Sequence, residues 1–272
     1  MTYAHHQPWP YARVLAHRGA GTLAPENTLA ALRVGRERGY RAVEFDAVLA
    51  ADGVPVLLHD ETLERTTNGQ GRVSEFTSQQ LAALDAGSWL APQFAHEPVP
   101  TLHDALTLCR AQGTWVNLEI KPVSGFDVAT GEAVAQEAAR CYADVLRVGA
   151  DRAADRAADR AEQLDPRVPL LSSFSEEALR AARNAAPDLP RGWLTDQVPA
   201  DWPAHMEALG CVALHTNQAH LTQEMACAIK NAGYWLFCYT VNTPVRAALL
   251  MSWGVDAFCT DRLDLIGADF GG

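Results

Sequence analysis

VEFDAVLAADGVPVLLHD, Val43 to Asp60, is the stretch on which the fold reading turns. Two apolar runs flank a turn at Ala50-Ala51-Asp52-Gly53; the first carries Glu44 and Asp46, and the second ends in His59-Asp60. A β-strand sends alternate side chains to opposite faces, so Glu44 and Asp46 project from one face, about 7 Å apart along the strand. Their neighbours Val43, Phe45, Val48 and Leu49 are apolar, the pattern of a parallel strand covered on both faces. Two carboxylates on one buried face repel each other and need a cation, shared protons or solvation. A divalent cation held by oxygen ligands is the simplest remedy. The bland alternative is a solvated surface pair, and the apolar neighbours argue against it.

Working outward, short apolar runs alternate with helical patterns. Strands are expected at Ala12–His17, Arg41–Asp46, Trp115–Ile120, Val168–Ser172, Arg191–Leu194, Val212–Leu214, Trp235–Thr240 and Ala257–Cys259. Helices are expected over 27–38, 102–111, 131–161, 175–185, 202–209, 222–232 and 243–253, with a last helical turn at 263–266. Strand-like Val54–Leu58 follows its neighbour too closely for a helix between them. Eight β-then-α units in this length are the signature of a (β/α)8 TIM barrel of the α/β class. A doubly wound sheet is the alternative, but it usually carries a Gly-rich nucleotide turn, and no G-x-G-x-x-G or P-loop occurs. Residues 61–100 break the rhythm, with one short helix near 78–84, and read as a small subdomain inserted after strand two of a single 1–272 domain. The tetrads of Asp151–Ala161, Asp-Arg-Ala-Ala repeated, read as a solvated helix extension without chemistry.

The chain has 272 residues, 48% hydrophobic and 20% charged, enough for a sizeable core of ordinary composition. The formal net charge of −11 argues against nucleic acid or an anionic membrane as partner, so any anion site must be a local basic cluster. No apolar run reaches the roughly 18 residues of a membrane span, and MTYAHHQPWPYARVLAHRGA has no apolar segment of signal-peptide length. A cytoplasmic protein is expected, without stable membrane insertion; a homodimer is the base-rate expectation. The six cysteines, at 109, 141, 211, 227, 238 and 259, form no C-x-x-C. They read as small buried hydrophobes, not as a structural zinc site.

In barrels, catalytic groups sit at the carboxyl ends of strands, and the unusual polar residues fall there: His17-Arg18-Gly19, Glu44 and Asp46, His59, Glu119 and Lys121, Ser172-Ser173, His215 and Asn217, Thr240 and Asn242, Thr260-Asp261. A lone histidine is more often a core residue than a catalyst, and a lone lysine is usually surface. The joint pattern is harder to dismiss. Three carboxylates (Glu44, Asp46, Glu119) suit one hard cation, Mg²⁺ or Ca²⁺. Arg18 can grip two phosphate oxygens, Lys121 adds a compact charge, and His17 and His59 titrate near neutrality. Together these groups describe cleavage of a phosphate ester.

At these residues the chain resembles the glycerophosphodiester phosphodiesterase family. The shared motifs are His17-Arg18-Gly19, Pro25-Glu26-Asn27-Thr28, Glu44-Phe45-Asp46, Val56-Leu57-Leu58-His59-Asp60, Asn117-Leu118-Glu119-Ile120-Lys121, Ser172-Ser173-Phe174, Thr240-Val241-Asn242 and Gly254-Val255-Asp256 with Thr260-Asp261. They run in family order over nearly the whole chain. APENTLAAL, LERTTNG, DAGSW and LPRG add likeness to the bacterial cytoplasmic members linked to glycerol-3-phosphate uptake. The resemblance implies divalent-metal-dependent hydrolysis of a small-molecule glycerophosphodiester to glycerol 3-phosphate and an alcohol. It implies Glu44, Asp46 and Glu119 as metal ligands, His17 and His59 as the acid/base pair, and Arg18 and Lys121 on the phosphate. It places Glu26 and Asn27 in an active-site loop. Tyr239 stands where many relatives carry Trp, which touches the packing of the glycerol and not the reaction.

Neither the acid of the first step nor the nucleophile, water or the glycerol 2-hydroxyl, follows from the residues. Mg²⁺ and Ca²⁺ also stay open. A binding protein would be expected to have lost a histidine or carboxylate, and none is lost. A lipid phospholipase would need an apolar or basic rim; Trp89 and Phe94 are the rim aromatics that keep that alternative in view.

Overall fold

The computed structural model describes residues 8–147 and 165–271. The strands are β1 (Val14–Ala16), β2 (Ala42–Leu49), β3 (Pro55–Leu57), β4 (Trp115–Ile120), β5 (Leu170–Ser173), β6 (Arg191–Thr195), β7 (Ala213–Asn217), β8 (Trp235–Tyr239) and β9 (Ala257–Thr260). Among the described residues they form one sheet in the order β1-β9-β8-β7-β6-β5-β4-β2-β3, and β1 also pairs with β2 through Ala16 and Val43. That pairing closes eight parallel strands into a barrel. β3 lies outside the ring, antiparallel to the far end of β2, with Ala47 opposite Leu57. The Val43–Asp60 stretch is therefore a barrel strand that overshoots the rim, turns at Gly53 (φ +79°) and folds back as a hairpin.

The helices are α1 (Leu29–Glu37), α2 (Ser78–Ala82), α3 (Leu102–Gln112), α4 (Asp127–Cys141), α5 (Glu176–Ala185), α6 (Trp202–Leu209), α7 (Gln223–Asn231) and α8 (Pro244–Ser252). Six of them begin the same way. Thr28, Thr77, Thr101, Ser175, Thr222 and Thr243 each accept a bond from the backbone N–H three residues on, which satisfies one of the orphan donors at a helix start. The helix expected over 131–161 starts four residues earlier and is interrupted at Tyr142 (φ −110°, ψ 18°), after which helical backbone resumes over 143–147, where the described residues break off. The Asp-Arg-Ala-Ala tetrads lie outside the described residues. The turn at 263–266 closes through Leu265 and Ile266 N–H on Arg262 O and does not become a helix.

Three apolar cores follow from this topology. The largest fills the layer between barrel and helices. The second fills the barrel's amino end, where Leu15, Ala42, Trp115, Leu170, Ala213, Trp235 and Phe237 point inward beneath Trp9 and Tyr11. Tyr11 stacks on Trp115 at 3.8 Å, and Trp9 meets Trp115 edge-on. The third core joins the β2–β3 hairpin to residues of the 61–100 segment: Val48, Val56, Leu63, Val73, Leu81 and Ala86. That segment holds α2 and two 3-10 turns, and packs as an outgrowth of the hairpin. Four cysteines are buried as expected, but Cys141 is only part-buried and Cys227 is exposed.

The loop after β1 is held by close backbone packing. A Cβ on Gly35 of α1 would fall 2.1 Å from Gly19 O, and Gly19 itself has φ +99°. Gly35→Ala must therefore push α1 away from His17–Gly19. Overpacking of this kind costs about 1–3 kcal/mol. The expected outcome is a lowered Tm together with reduced catalytic activity; an unchanged Tm would show that α1 shifts freely.

Candidate active site

Alternation on β2 turns Glu44 and Asp46 into the barrel, and the parallel register of β4 sets Asn117 opposite Glu44 and Glu119 opposite Asp46. Glu44 and Asp46 are 4% and 1% exposed. One carboxylate oxygen from each of Glu44, Asp46 and Glu119 lies within 4.8 Å of the others. The three close the floor of a cavity of about 260 Å³ at the carboxyl end of the barrel. His17, Arg18, His59, Lys121, Phe174 and Tyr239 line its walls.

The His17–Gly19 turn follows β1, with Arg18 in the left-handed region (φ 49°, ψ 30°). This conformation lets the Arg18 N–H donate to Glu44 Oε2 at 3.1 Å while its side chain turns to Glu26 Oε1 at 2.7 Å. Arg18 Nε, 3.6 Å from Asp46 Oδ2, is buried without a hydrogen bond. Asn27 is also left-handed (φ 59°). Its amide grips Asp46 twice, Nδ2 donating to Oδ2 at 2.8 Å and Oδ1 accepting from the Asp46 N–H at 3.1 Å. Asn27 thus orients a carboxylate. Glu26 stands outside the cluster of three, held by Arg18 and by both terminal nitrogens of Arg65 at 2.8 Å.

Each histidine has a carboxylate behind it. His17 Nδ1 lies 2.5 Å from Asp261 Oδ1, and its Nε2 is 3.7 Å from Glu44 Oε2. Asp261 is itself fixed by Asn242, whose Nδ2 donates to Oδ2 at 2.9 Å. His59 Nδ1 lies 2.6 Å from Asp60 Oδ1, and its Nε2 is 2.7 Å from Lys121 Nζ. An ammonium only donates, so His59 Nε2 accepts and Nδ1 carries the proton. Lys121 Nζ is also 3.6 Å from Glu119 Oε1. Arg65, from the 61–100 segment, donates to Asp60 as well as Glu26, at 2.5 and 2.8 Å, and so ties that segment to the loops that carry His17 and His59.

The roles of Asp261, Asp60 and Arg65 escaped the sequence reading. His59-Asp60 are adjacent, a usable signal, whereas Asp261 is 244 residues from His17. His215, noted only as a polar residue at its strand end, is fully buried, stacks on Phe237 at 4.6 Å and has no hydrogen bond on either nitrogen. Burial pushes its pKa down to about 3, so it forms a neutral part of the cavity wall. Tyr239 spans from the cavity to Thr195 O, to which its hydroxyl donates at 3.1 Å.

Burial and mutual repulsion set the electrostatics. Burial, then the neighbouring Asp46, pushes Glu44 up to about 7 and Glu119 up to about 8. Asp46 stays below its ordinary value because Arg18, His59, Lys121 and the Asn27 bond outweigh its burial. Three buried carboxylates this close are groups that could hold a cation. A carboxyl raised in the folded state binds more protons there than when unfolded, so its stabilisation falls as pH rises from its ordinary value toward the raised one. Metal-free protein is therefore expected to lose stability between about pH 4.5 and pH 8, a window bounded by the ordinary and raised Glu119 values. Glu119→Gln should flatten that loss in thermal melts across this range. An unchanged slope would mean that the three carboxylates do not repel.

The sequence profile of the glycerophosphoryl diester phosphodiesterase family matches residues 17–265. A glycerophosphodiester phosphodiesterase of Caldanaerobacter subterraneus subsp. tengcongensis is 34% identical over 250 residues, spanning 91% of this chain and 93% of the relative. Among solved structures, a phosphodiesterase from Oleispira antarctica, in complex with the product sn-glycerol-3-phosphate, superposes with a TM-score of 0.78 at 33% identity, covering 92% of both chains. A glycerophosphodiester phosphodiesterase from Agrobacterium tumefaciens gives 0.70 at 26% identity over 93% of this chain and 97% of the other. With a match of this extent around these residues, the chain belongs to the glycerophosphoryl diester phosphodiesterase family.

Proposed function

We propose that this chain hydrolyses small glycerophosphodiesters to glycerol 3-phosphate and an alcohol, and that it does so with one divalent cation, Mg²⁺ or Ca²⁺. The observation that carries this reading is the convergence of three buried carboxylates with two carboxylate-backed histidines and two cationic side chains on one cavity. The donor set fits such a cation: all three candidate ligands offer oxygen, and burial with mutual repulsion raises the pKa values of Glu44 and Glu119. Glu44, Asp46 and Glu119 would hold the ion. When bound, it would supply positive charge to the phosphodiester oxygens.

The remaining steps belong to the chain's own residues. Arg18, with its unbonded Nε, and Lys121 hold the phosphate and neutralise charge that grows as the phosphorus gains a fifth oxygen. Asp261 and Asp60 lock the Nδ1 side of each imidazole, which turns each Nε2 toward the cavity. One histidine accepts the nucleophile's proton and the other donates a proton to the leaving oxygen. The nucleophile is water or the glycerol 2-hydroxyl. The second route forms a cyclic phosphate that a second turnover of the same pair opens. The small cavity, walled by Phe174 and Tyr239, suits a glycerol unit with the head-group alcohol toward solvent. No helix among the described residues is long and apolar enough to cross a membrane. A cytoplasmic location and a homodimer complete the reading.

Protein stripped with EDTA should release no glycerol 3-phosphate from glycerophosphocholine, and Mg²⁺ or Ca²⁺ should restore release. His17→Ala should lower kcat by about 10²–10⁴, the usual contribution of a general acid or base. Absence of release with either ion, on glycerophosphoethanolamine as well, would overturn the substrate class. Asp261→Asn should lower kcat while leaving KM within about twofold, since it alters the tautomer and not the phosphate grip. Hydrolysis of a diester chiral at phosphorus separates the two routes: net retention supports the cyclic phosphate, and net inversion excludes it.

A further inference from the structure

A second cluster of ligand atoms lies on the outer helix layer, away from the cavity. α4 presents Glu137 and Cys141 at i and i+4, on one face, and α3 brings His103 against them. His103 Nδ1 is 2.9 Å from Glu137 Oε1 and 3.5 Å from Cys141 Sγ, and Cys141 Sγ is 3.3 Å from Glu137 Oε1. Tetrahedral zinc with bonds of about 2.0–2.3 Å places neighbouring ligand atoms about 3.3–3.6 Å apart. Two of the three distances already match one face of that tetrahedron, and the third must open by only a few tenths of an ångström. None of the three residues lines the catalytic cavity.

We propose that His103, Glu137 and Cys141 form a divalent-metal site of the Zn²⁺ class that clamps α3 to α4, with water or a further ligand completing the coordination. The donors are one imidazole, one carboxylate and one sulfur. This set selects a borderline-soft ion and differs from the all-oxygen set of the catalytic cluster. Binding breaks the Cys141 S–H bond: the sulfur keeps the electron pair for the metal, and the proton, now donated to Glu137, passes to solvent. Because the thiolate and not the thiol is the ligand, protons compete with the metal and affinity should rise with pH. Arg140 now donates to both Glu137 oxygens and reaches His103 Nδ1 at 3.1 Å. It must swing out; it is exposed, and such pairs are weak. The spacing His103…Glu137…Cys141 follows no cysteine-rich pattern, which is why the cysteine arrangement alone gives no hint of zinc.

Cobalt tests this without recourse to activity. Co²⁺ added to metal-stripped full-length protein should give a near-ultraviolet thiolate-to-cobalt charge-transfer band, which Zn²⁺ then abolishes by displacement. The three carboxylates in the barrel offer no sulfur, and Cys259→Ser, at the thiol that lines their cavity, should leave the band in place. Cys141→Ser should remove it, Cys227→Ser, at an exposed thiol, should retain it, and His103→Ala should weaken Co²⁺ binding at this site by at least about tenfold, the loss typical of disturbing a metal's ligand shell. Phosphodiesterase activity of folded Cys141→Ser should match the parent and serves as the check on folding. A missing band in the parent, or a band that survives Cys141→Ser, would overturn the site and leave a hydrogen-bonded surface cluster.

Discussion

Repulsion among Glu44, Asp46 and Glu119 is the constraint around which the rest of the chain is arranged. Three carboxylates within 4.8 Å, closed in by a barrel wall, work against folding. The chain does not relieve the strain by opening the site to water. It surrounds Asp46 with Arg18, Lys121, His59 and the Asn27 amide, and leaves Glu44 and Glu119 with raised pKa values. The barrel supplies the rigidity that such a cluster needs. Strand register fixes Asp46 opposite Glu119, and the aromatic plug of Trp9, Tyr11 and Trp115 fills the other end. Stability is thus invested in the amino half of the barrel, and charge conflict is concentrated in the carboxyl half.

The histidines show how a loop is made precise enough for chemistry. Each ring is pinned at Nδ1 by a carboxylate that is pinned in turn: Asp261 by Asn242, Asp60 by Arg65. Arg65 also grips Glu26, which holds Arg18. One guanidinium from the inserted segment therefore connects the loop after β1 with the loop after β3. The segment reads as a brace for the rim, built on the β2–β3 hairpin and sharing its apolar core. Close backbone contact does the same for His17: α1 can approach Gly19 O only because residue 35 has no side chain.

The helix layer follows a different logic. It has only to keep its apolar faces covered, and there His103, Glu137 and Cys141 come together at distances close to a zinc tetrahedron. The cluster is ordered by α3 and α4 packing in parallel beside consecutive strands, not by any loop.

The sequence by itself determined the barrel, its strand order and the identity of the residues on the rim. Those features rest on short-range pattern: the period of two that puts Glu44 and Asp46 on one face, the apolar runs of buried parallel strands, and Ser or Thr at helix starts. The family motifs carried the remaining assignments of the site. Only the tertiary structure decided which partners those residues have. Nothing in local pattern couples His17 to Asp261 across 244 positions, brings Arg65 onto Glu26, or leaves His215 without a hydrogen bond in a sealed wall. The helix expected over 131–161 is broken at Tyr142, a buried residue, and resumes over 143–147, a break that helix propensity does not contain. Periodicity is local and survives in one dimension; orientation, desolvation and close backbone approach are set by residues that meet only once the ring has closed.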